Sequence, residues 1–365
     1  MNYAIIGCGL IGKKRLAALP HGSRLVVACD INPSRAEELV RSAGTGRAVS
    51  DYLDAVTDPQ VEAVIVATAN AALADIAAAA IRAHKHVLVE KPGAISVRQI
   101  DELITLQQKH RVCVRVGFNH RFHPAVRKAR EIFDSGAIGK LMFIRARYGH
   151  GGRLGYEKEW RADPKLSGGG ELIDQGTHLI DLARWFLGTF EHVEGHIATY
   201  FWQMPVEDNA FLCLRTAQGQ TAWLHASWTE WKNTFSFEIF GRTGKLHIEG
   251  LGGSYGTERL YHYQMKPELG PPETLIYEFP GPDVSWALEL AEFEHCIRLA
   301  QQTETQRSKR THTRTHLTAS TQSQYVGAAL HDARATIAVV EAIYQKANAQ
   351  KRKKRKETLQ TNRPD

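Results

Sequence analysis

Tyr3-Ala4-Ile5-Ile6-Gly7-Cys8-Gly9-Leu10-Ile11-Gly12 decides the fold of the first part of this chain. An apolar run enters a GxGxxG turn, and a helical pattern over 13–19 leaves it. Gly7 permits the tight turn and Gly9 lets a pyrophosphate approach the backbone. Gly12 lets the helix pack closely on the strand. The phosphates of a dinucleotide would sit on the helix N-terminus, with Leu10 and Ile11 in the loop that holds them. A second apolar run, Leu25–Cys29, ends at Asp30. A carboxylate there suits both hydroxyls of an adenosine ribose and repels a 2′-phosphate, so NAD is expected rather than NADP.

Working outward, further apolar runs are Ala63–Ala67, His86–Val89 and Val112–Val116. Val and Ile fill them with little polar alternation, as in parallel strands covered on both faces. Helical patterns lie between them at 34–42, 71–84 and 97–109, the last opened by Ser96 with Gln99 three residues on. The expectation is a doubly wound Rossmann domain over 1–120. From about residue 141 the pattern alternates instead. Eight such segments are Leu141–Tyr148, His192–Phe201, Asn209–Arg215, Thr221–Thr229, Thr234–Phe240, Lys245–Glu249, Arg259–Tyr263 and Thr274–Phe279. They predict a second, α+β domain over 121–300 with a large, mostly antiparallel open sheet, one face exposed or used for association. Helical patterns accompany it at Glu171–Leu187, Ser285–Leu299 and Ala328–Lys346. Residues 301–325 are rich in Thr, Gln, Ser and Arg and are expected to be a disordered insertion. A C-terminal helix over 326–348 and a disordered basic tail over 349–365 complete the expected organisation.

The net charge of +7 is concentrated at the C-terminal end. Residues 346–365 carry eight Lys or Arg against two acidic residues, and 301–325 carry four against one. The remainder is slightly acidic, which argues against a nucleic-acid-binding body. No apolar run is long enough to span a bilayer, and no leader precedes the first strand, so a cytoplasmic protein is expected. Five cysteines without CxxC spacing argue against a disulfide framework or a thiolate zinc site.

Two further motifs carry chemistry. Glu90-Lys91-Pro92 follows the run His86–Val89, at the carboxyl end of the sheet where ligands bind in such folds. Lys91 could stabilise a developing alkoxide, or be a surface lysine paired with Glu90. Gly168-Gly169-Gly170-Glu171-Leu172-Ile173-Asp174-Gln175-Gly176-Thr177-His178-Leu179-Ile180-Asp181 puts Asp174, His178 and Asp181 at i, i+4 and i+7, one helix face. His178 with a carboxylate one turn away could be a general base with its orienting partner, or a structural histidine. No second histidine accompanies it, so no metal is expected. Thr68 and Asn70, after the run Ala63–Ala67, are further cofactor-side candidates, as are Glu90 and Lys91. Asn119 and Arg121, after the run Val112–Val116, are candidates for substrate contact, as are Arg153, Tyr156, Trp160 and Arg161 in a long glycine-rich connection. The arginines could bind carboxylate or phosphate, or equally cap helices or form ion pairs.

GCGLIG, EKP and GGGxLxDxGxHxxD, in this order, resemble the glucose–fructose oxidoreductase/inositol dehydrogenase/rhizopine catabolism (Gfo/Idh/MocA) family. The resemblance covers roughly 1–300 and resumes at 328–346. It implies a Rossmann domain plus an α/β domain whose open sheet often makes homodimer or homotetramer contacts. It also implies that Lys91 matches the EKP lysine, and Asp174 and His178 the catalytic Asp and His. The substrate would be a sugar or polyol. One departure stands out: where the family often has TPNxxH, this chain has Thr68-Ala69-Asn70-Ala71-Ala72-Leu73. An NAD-dependent glycosidase and a non-catalytic NAD-binding regulator are the rival functions on this fold. The regulator is expected to lose Lys91 or His178, and both are present.

Overall fold

The computed structural model describes residues 1–268, 270–309 and 326–361. It divides into two compact units, Met1–Arg127 with Gly281–Arg334, and Lys128–Pro280 with Ala335–Asp365.

The first unit is a six-stranded parallel sheet in the order β3-β2-β1-β4-β5-β6. The strands are β1 (Asn2–Ile6), β2 (Arg24–Cys29), β3 (Arg47–Val49), β4 (Ala63–Val66), β5 (His86–Glu90) and β6 (Val114–Gly117). Between them run α1 (Leu10–Ala17), α2 (Pro33–Ala43), α3 (Tyr52–Val56), α4 (Asn70–Arg82) and α5 (Val97–His110). The register aligns Ile6 with Cys29 on one side and Val66 on the other, and Val66 with Val89. Gly7, Asp30, Thr68 and Lys91 therefore emerge at the same edge, the carboxyl ends of the strands. β3 escapes a reading by apolar runs because it is a three-residue edge strand with Arg47 and Ala48 exposed. Valine and isoleucine fill both faces of the sheet.

The second unit begins in α6 (Pro124–Asp134). Its eight-stranded sheet runs β14-β13-β12-β11-β7-β10-β9-β8. The strands are β7 (Leu141–Gly149), β8 (Phe190–Ala198), β9 (Asn209–Thr216), β10 (Thr221–Ser227), β11 (Thr234–Gly241), β12 (Gly244–Glu249), β13 (Glu258–Gln264) and β14 (Glu273–Phe279). Each overlaps one of the eight alternating segments. Only the β7–β10 pair is parallel. Alternation sends Ile144, Ala146 and Leu224 inward, and leaves Phe143 and Trp223 exposed on the other face.

Three expectations are corrected. The helix over Ser285–Leu299, read as part of the second domain, belongs to the first unit, where Leu290, Phe293 and Ile297 pack with Tyr3, Ile5 and Leu25. This helix, α9, runs through Ser285–Lys309, into the stretch expected to be disordered. Likewise α10 (Leu330–Thr361) continues through most of the basic tail. Both are nucleated by buried apolar turns and propagate into Gln, Glu, Lys and Arg, which are good helix formers. The rest of the two stretches, 310–325 and 362–365, lies outside the described residues. No helix among the described residues is long and apolar enough to cross a membrane.

Candidate active site

The three glycines of the first turn do three different jobs. Gly7 has φ +94° and a Cβ there would overlap the carbonyl of Ala67. A Cβ on Gly12 would overlap the carbonyl of Gly7. Gly9 caps α1, and a Cβ on it would meet nothing within 4 Å. Leu10 is 71% exposed and Ile11 half-buried beside this open space. Asp30 accepts from Cys8 N at 2.8 Å and from Asn32 N at 2.9 Å, one bond to each oxygen. A carboxylate offers about four acceptor directions, so both oxygens retain capacity for ribose hydroxyls. Thr68 is half-buried and Asn70 opens α4, buried.

Lys91, half-buried, follows the last residue of β5 in a turn closed by Gly93 N donating to Glu90 O at 2.9 Å. The Lys91–Pro92 peptide is cis. Glu90, a cofactor-side candidate, has a protein partner for its side chain. Its carboxylate turns inward to Arg15, whose Nε donates to Oε1 at 2.6 Å. Asn119 and Arg121, substrate-side candidates, likewise have partners within the first unit. Asn119 Nδ2 donates to Ser285 Oγ at 2.8 Å. Arg121, 3% exposed, reaches Val326 O at 3.3 Å and Asp332 Oδ1 at 3.4 Å. Buried polar groups need partners, and these are committed to packing within the first unit.

In the second unit the glycine run has a cause. A Cβ on Gly169 would overlap the Tyr344 hydroxyl, and one on Gly170 the carbonyl of Glu207. The Glu207 carboxylate is buried, and its Oε1 accepts from Gly170 N at 3.1 Å, Leu172 N at 3.2 Å and Tyr344 Oη at 2.7 Å. Glu207 thereby caps the segment that follows. That segment is not one regular helix. Leu172–Gly176 forms a wider π turn, and α8 (Thr177–Leu187) starts after it. The i, i+4, i+7 spacing of a single α-helix thus holds from Thr177 onward and is broken before it. A short helix, α7 (Pro164–Ser167), leads into the glycines.

Asp174 is ion-paired with Arg161, Nε to Oδ2 at 3.0 Å. Burial alone would weaken the Arg161 charge, but the Asp174 carboxylate keeps the guanidinium firmly protonated. Arg161 also lies over the Trp160 ring at 4.7 Å. Glu159 pairs with Arg153 at 2.6 Å and approaches Arg161 at 3.7 Å. His178 is 5% exposed, with the Tyr148 ring edge-on at 6.2 Å. Tyr148 is followed by Tyr255, ring to ring at 5.2 Å, and Gln175 Nε2 donates to Tyr255 Oη at 3.1 Å. Burial, reinforced by the nearby Tyr255, Glu171 and Asp174, raises the Tyr148 hydroxyl well above its ordinary value. His150, bordering this group, is pushed toward its neutral form by burial. Tyr156, expected at the substrate, is 3% exposed and packs between Trp202 and Trp228.

Sequence reasoning missed Arg15, Tyr148, Glu207 and Tyr344. Arg15 had a signal, since it sits three residues after Gly12 on the inward side of α1. Glu207 and Tyr344 had none, because they lie far along the chain from the glycines that accommodate them.

Residues 1–118 match the GFO/IDH/MocA oxidoreductase family model, an NAD-binding Rossmann fold, and residues 126–247 match the GFO/IDH/MocA C-terminal domain. The chain belongs to the Gfo/Idh/MocA family of oxidoreductases. Levoglucosan dehydrogenase of Pseudarthrobacter phenanthrenivorans is 31% identical over 60% of this chain and 59% of its own. Thus the chain matches about three-fifths of that relative's length. The scyllo-inositol 2-dehydrogenase (NAD(+)) of Bacillus subtilis is 27% identical over 82% of this chain and 86% of its own. Among solved structures, a levoglucosan dehydrogenase complex with NADH and L-sorbose superposes with a TM-score of 0.73 at 25% identity, covering 82% of this chain and 90% of that one. The first unit is therefore an NAD-binding Rossmann domain. Its residues fit the cofactor: open space at Gly9 lies at the start of α1, and Asp30 retains acceptor capacity beside it.

Proposed function

We propose that this protein is an NAD-dependent dehydrogenase acting on a hydroxyl of a sugar or polyol. The observation that carries the reading is His178, a nearly buried imidazole on the first turn of α8, in a segment capped by Glu207. A histidine so placed is suited to hold and move one proton. NAD, when bound, supplies the hydride acceptor. Gly7, Gly9, Leu10, Ile11 and Gly12 would hold its pyrophosphate, and Asp30 its adenosine ribose, favouring NAD over NADP. Thr68 and Asn70 belong to the same edge of the sheet.

In this reading His178 Nε2 or Nδ1 takes the proton of the substrate hydroxyl as the carbinol is oxidised. Asp174, itself held by Arg161, favours the protonated imidazole. Lys91 donates a hydrogen bond to the oxygen as negative charge grows on it. Trp160, Arg161 and Arg153 contribute to substrate contact. Levoglucosan dehydrogenase and inositol dehydrogenases among the relatives support a neutral polyhydroxylated substrate. So does the pairing of Arg153 and Arg161 with Glu159 and Asp174, which leaves these cations matched by anions.

The reading includes a homodimer or homotetramer formed through the open sheet face, where Phe143, Trp223 and Ile276 are exposed. It also includes a cytoplasmic location, in keeping with five free cysteines. The test is a panel of polyols, aldoses, uronates and nucleotide sugars assayed for NAD reduction, with light scattering for the oligomer. Net NADH formation with a polyol or sugar supports the dehydrogenase. Release of a free sugar without net NADH would instead establish the glycosidase.

A further inference from the structure

Arg15 is fully buried in the first unit. A guanidinium in such a place needs partners, because leaving a charge unpaired in the interior is severely unfavourable. Arg15 has three. Its Nε and Nη2 each lie 2.6 Å from Glu90 Oε1. Its Nη1 lies 2.7 Å from Glu289 Oε2 on α9. Its guanidinium covers the Trp286 ring at 4.5 Å. Gly117, at the end of β6, makes room for the group: a Cβ there would come within 2.8 Å of Arg15 Nη2 and 2.9 Å of Glu90 Oε2.

Such a group is a poor source of stability. Apolar side chains of the same volume usually do as well or better in a protein interior. What it supplies is geometry, because the Nε hydrogen bond fixes the Glu90 carboxylate in direction as well as distance, while Glu289 is held by charge. The partner that matters is Glu90, the residue immediately before Lys91. Its side chain is fixed by Arg15, and its carbonyl is fixed by Gly93 N. Arg15 itself is part of α1, the helix that starts at the dinucleotide turn. The turn does not depend on Arg15 for its shape, since Gly7 and Gly12 pack directly on each other.

We propose that Arg15 is a positioning residue for Lys91: through Glu90 it locks the end of β5 to the helix that carries the NAD turn, so that lysine and cofactor cradle form one rigid body. This rests on the role assigned to Lys91 above.

The test compares three full-length proteins: wild type, Glu90→Gln, and the apolar triple variant Arg15→Met/Glu90→Met/Glu289→Leu. Four quantities are read: melting temperature, NAD affinity by calorimetry, the rate at which an N-hydroxysuccinimide ester labels Lys91, and turnover of a substrate from the panel. The triple variant is expected to melt no lower than wild type and to bind NAD within about threefold, since the glycine turn is intact. Turnover should nonetheless fall by roughly 10²-fold, the usual effect of misplacing a reacting group by about 1 Å. Lys91 labelling should change in the apo protein. Glu90→Gln should show the same split between turnover and NAD affinity. Wild-type turnover and labelling in the triple variant would overturn the proposal. So would a parallel loss of NAD affinity, which would make Arg15 part of the cradle, or failure of both variants to fold, which would make it a folding residue. If wild type itself oxidises no member of the panel, the functional reading fails, while the labelling comparison still decides whether Arg15 positions Lys91.

Discussion

Tyr344 Oη donates to Glu207 Oε1 at 2.7 Å, and this bond ties the C-terminal helix to the turn that precedes His178. The same hydroxyl occupies the space that a side chain on Gly169 would need. Tyr344→Phe removes a hydrogen bond to a buried carboxylate and should cost about 1.5–3 kcal/mol of unfolding free energy. Urea titration measures it. NAD affinity should not change, because the NAD turn lies in the first unit.

The glycine turn makes a contrasting set. Gly9→Ala adds a methyl group to open space at φ −73°, so folding should be preserved. The methyl group intrudes where the pyrophosphate approaches, and NAD affinity should fall at least roughly tenfold. Gly12→Ala drives a methyl group into the Gly7 carbonyl and should destabilise the fold by about 1–3 kcal/mol. Thermal melting and calorimetry on both variants separate the two effects. Equal melting points would contradict the assignment of separate roles.

Glu289 gives the fold a pH dependence. Burial pushes its carboxyl up to about 7, with Arg15 opposing and Glu90 and Glu292 reinforcing the rise. Between the ordinary glutamate range and about pH 7 the folded chain keeps a proton that the unfolded chain has released. Stability from this group is therefore full at acid pH and is lost as pH rises through that window. The loss is of order 3 kcal/mol. Glu289→Gln mimics the protonated form, so its melting temperature should fall less than that of wild type from about pH 5 to pH 8.

Asp30 should set the choice of cofactor. Both of its oxygens are anchored by backbone N–H groups, which fixes the carboxylate where a 2′-phosphate would be repelled. Calorimetry should show tighter binding of NAD than NADP by the wild-type chain. Asp30→Ala should narrow the gap, mainly by weakening NAD. Tighter NADP binding by wild type would refute this assignment.

The fold was legible wherever one signal dominated. Uninterrupted valine and isoleucine gave the parallel strands, and alternation such as that over Ile144–Arg147 gave the second sheet. β3 was not legible, because a short exposed edge strand buries too little to leave a pattern. At the site, residue type and position on an element were readable, but direction was not. Glu90, Asn119 and Arg121 stand at strand ends where ligands bind, yet each faces a partner 75 or more residues away in sequence. Tyr156 was drawn inward by Trp202 and Trp228 in the same manner. Long-range partners decide such orientations, and no local spacing encodes them.

The central claim is that His178 is the base for a dehydrogenase. The most direct measurement is the rate of NADH formation by wild type and His178→Ala, with the best substrate of the panel, beside the NAD affinity of each. Turnover of the variant should be lower by roughly 10²–10⁴, the range for loss of a general base, with NAD affinity little changed. A His178→Ala enzyme that turns over at the wild-type rate would contradict the account and return His178 to a structural role.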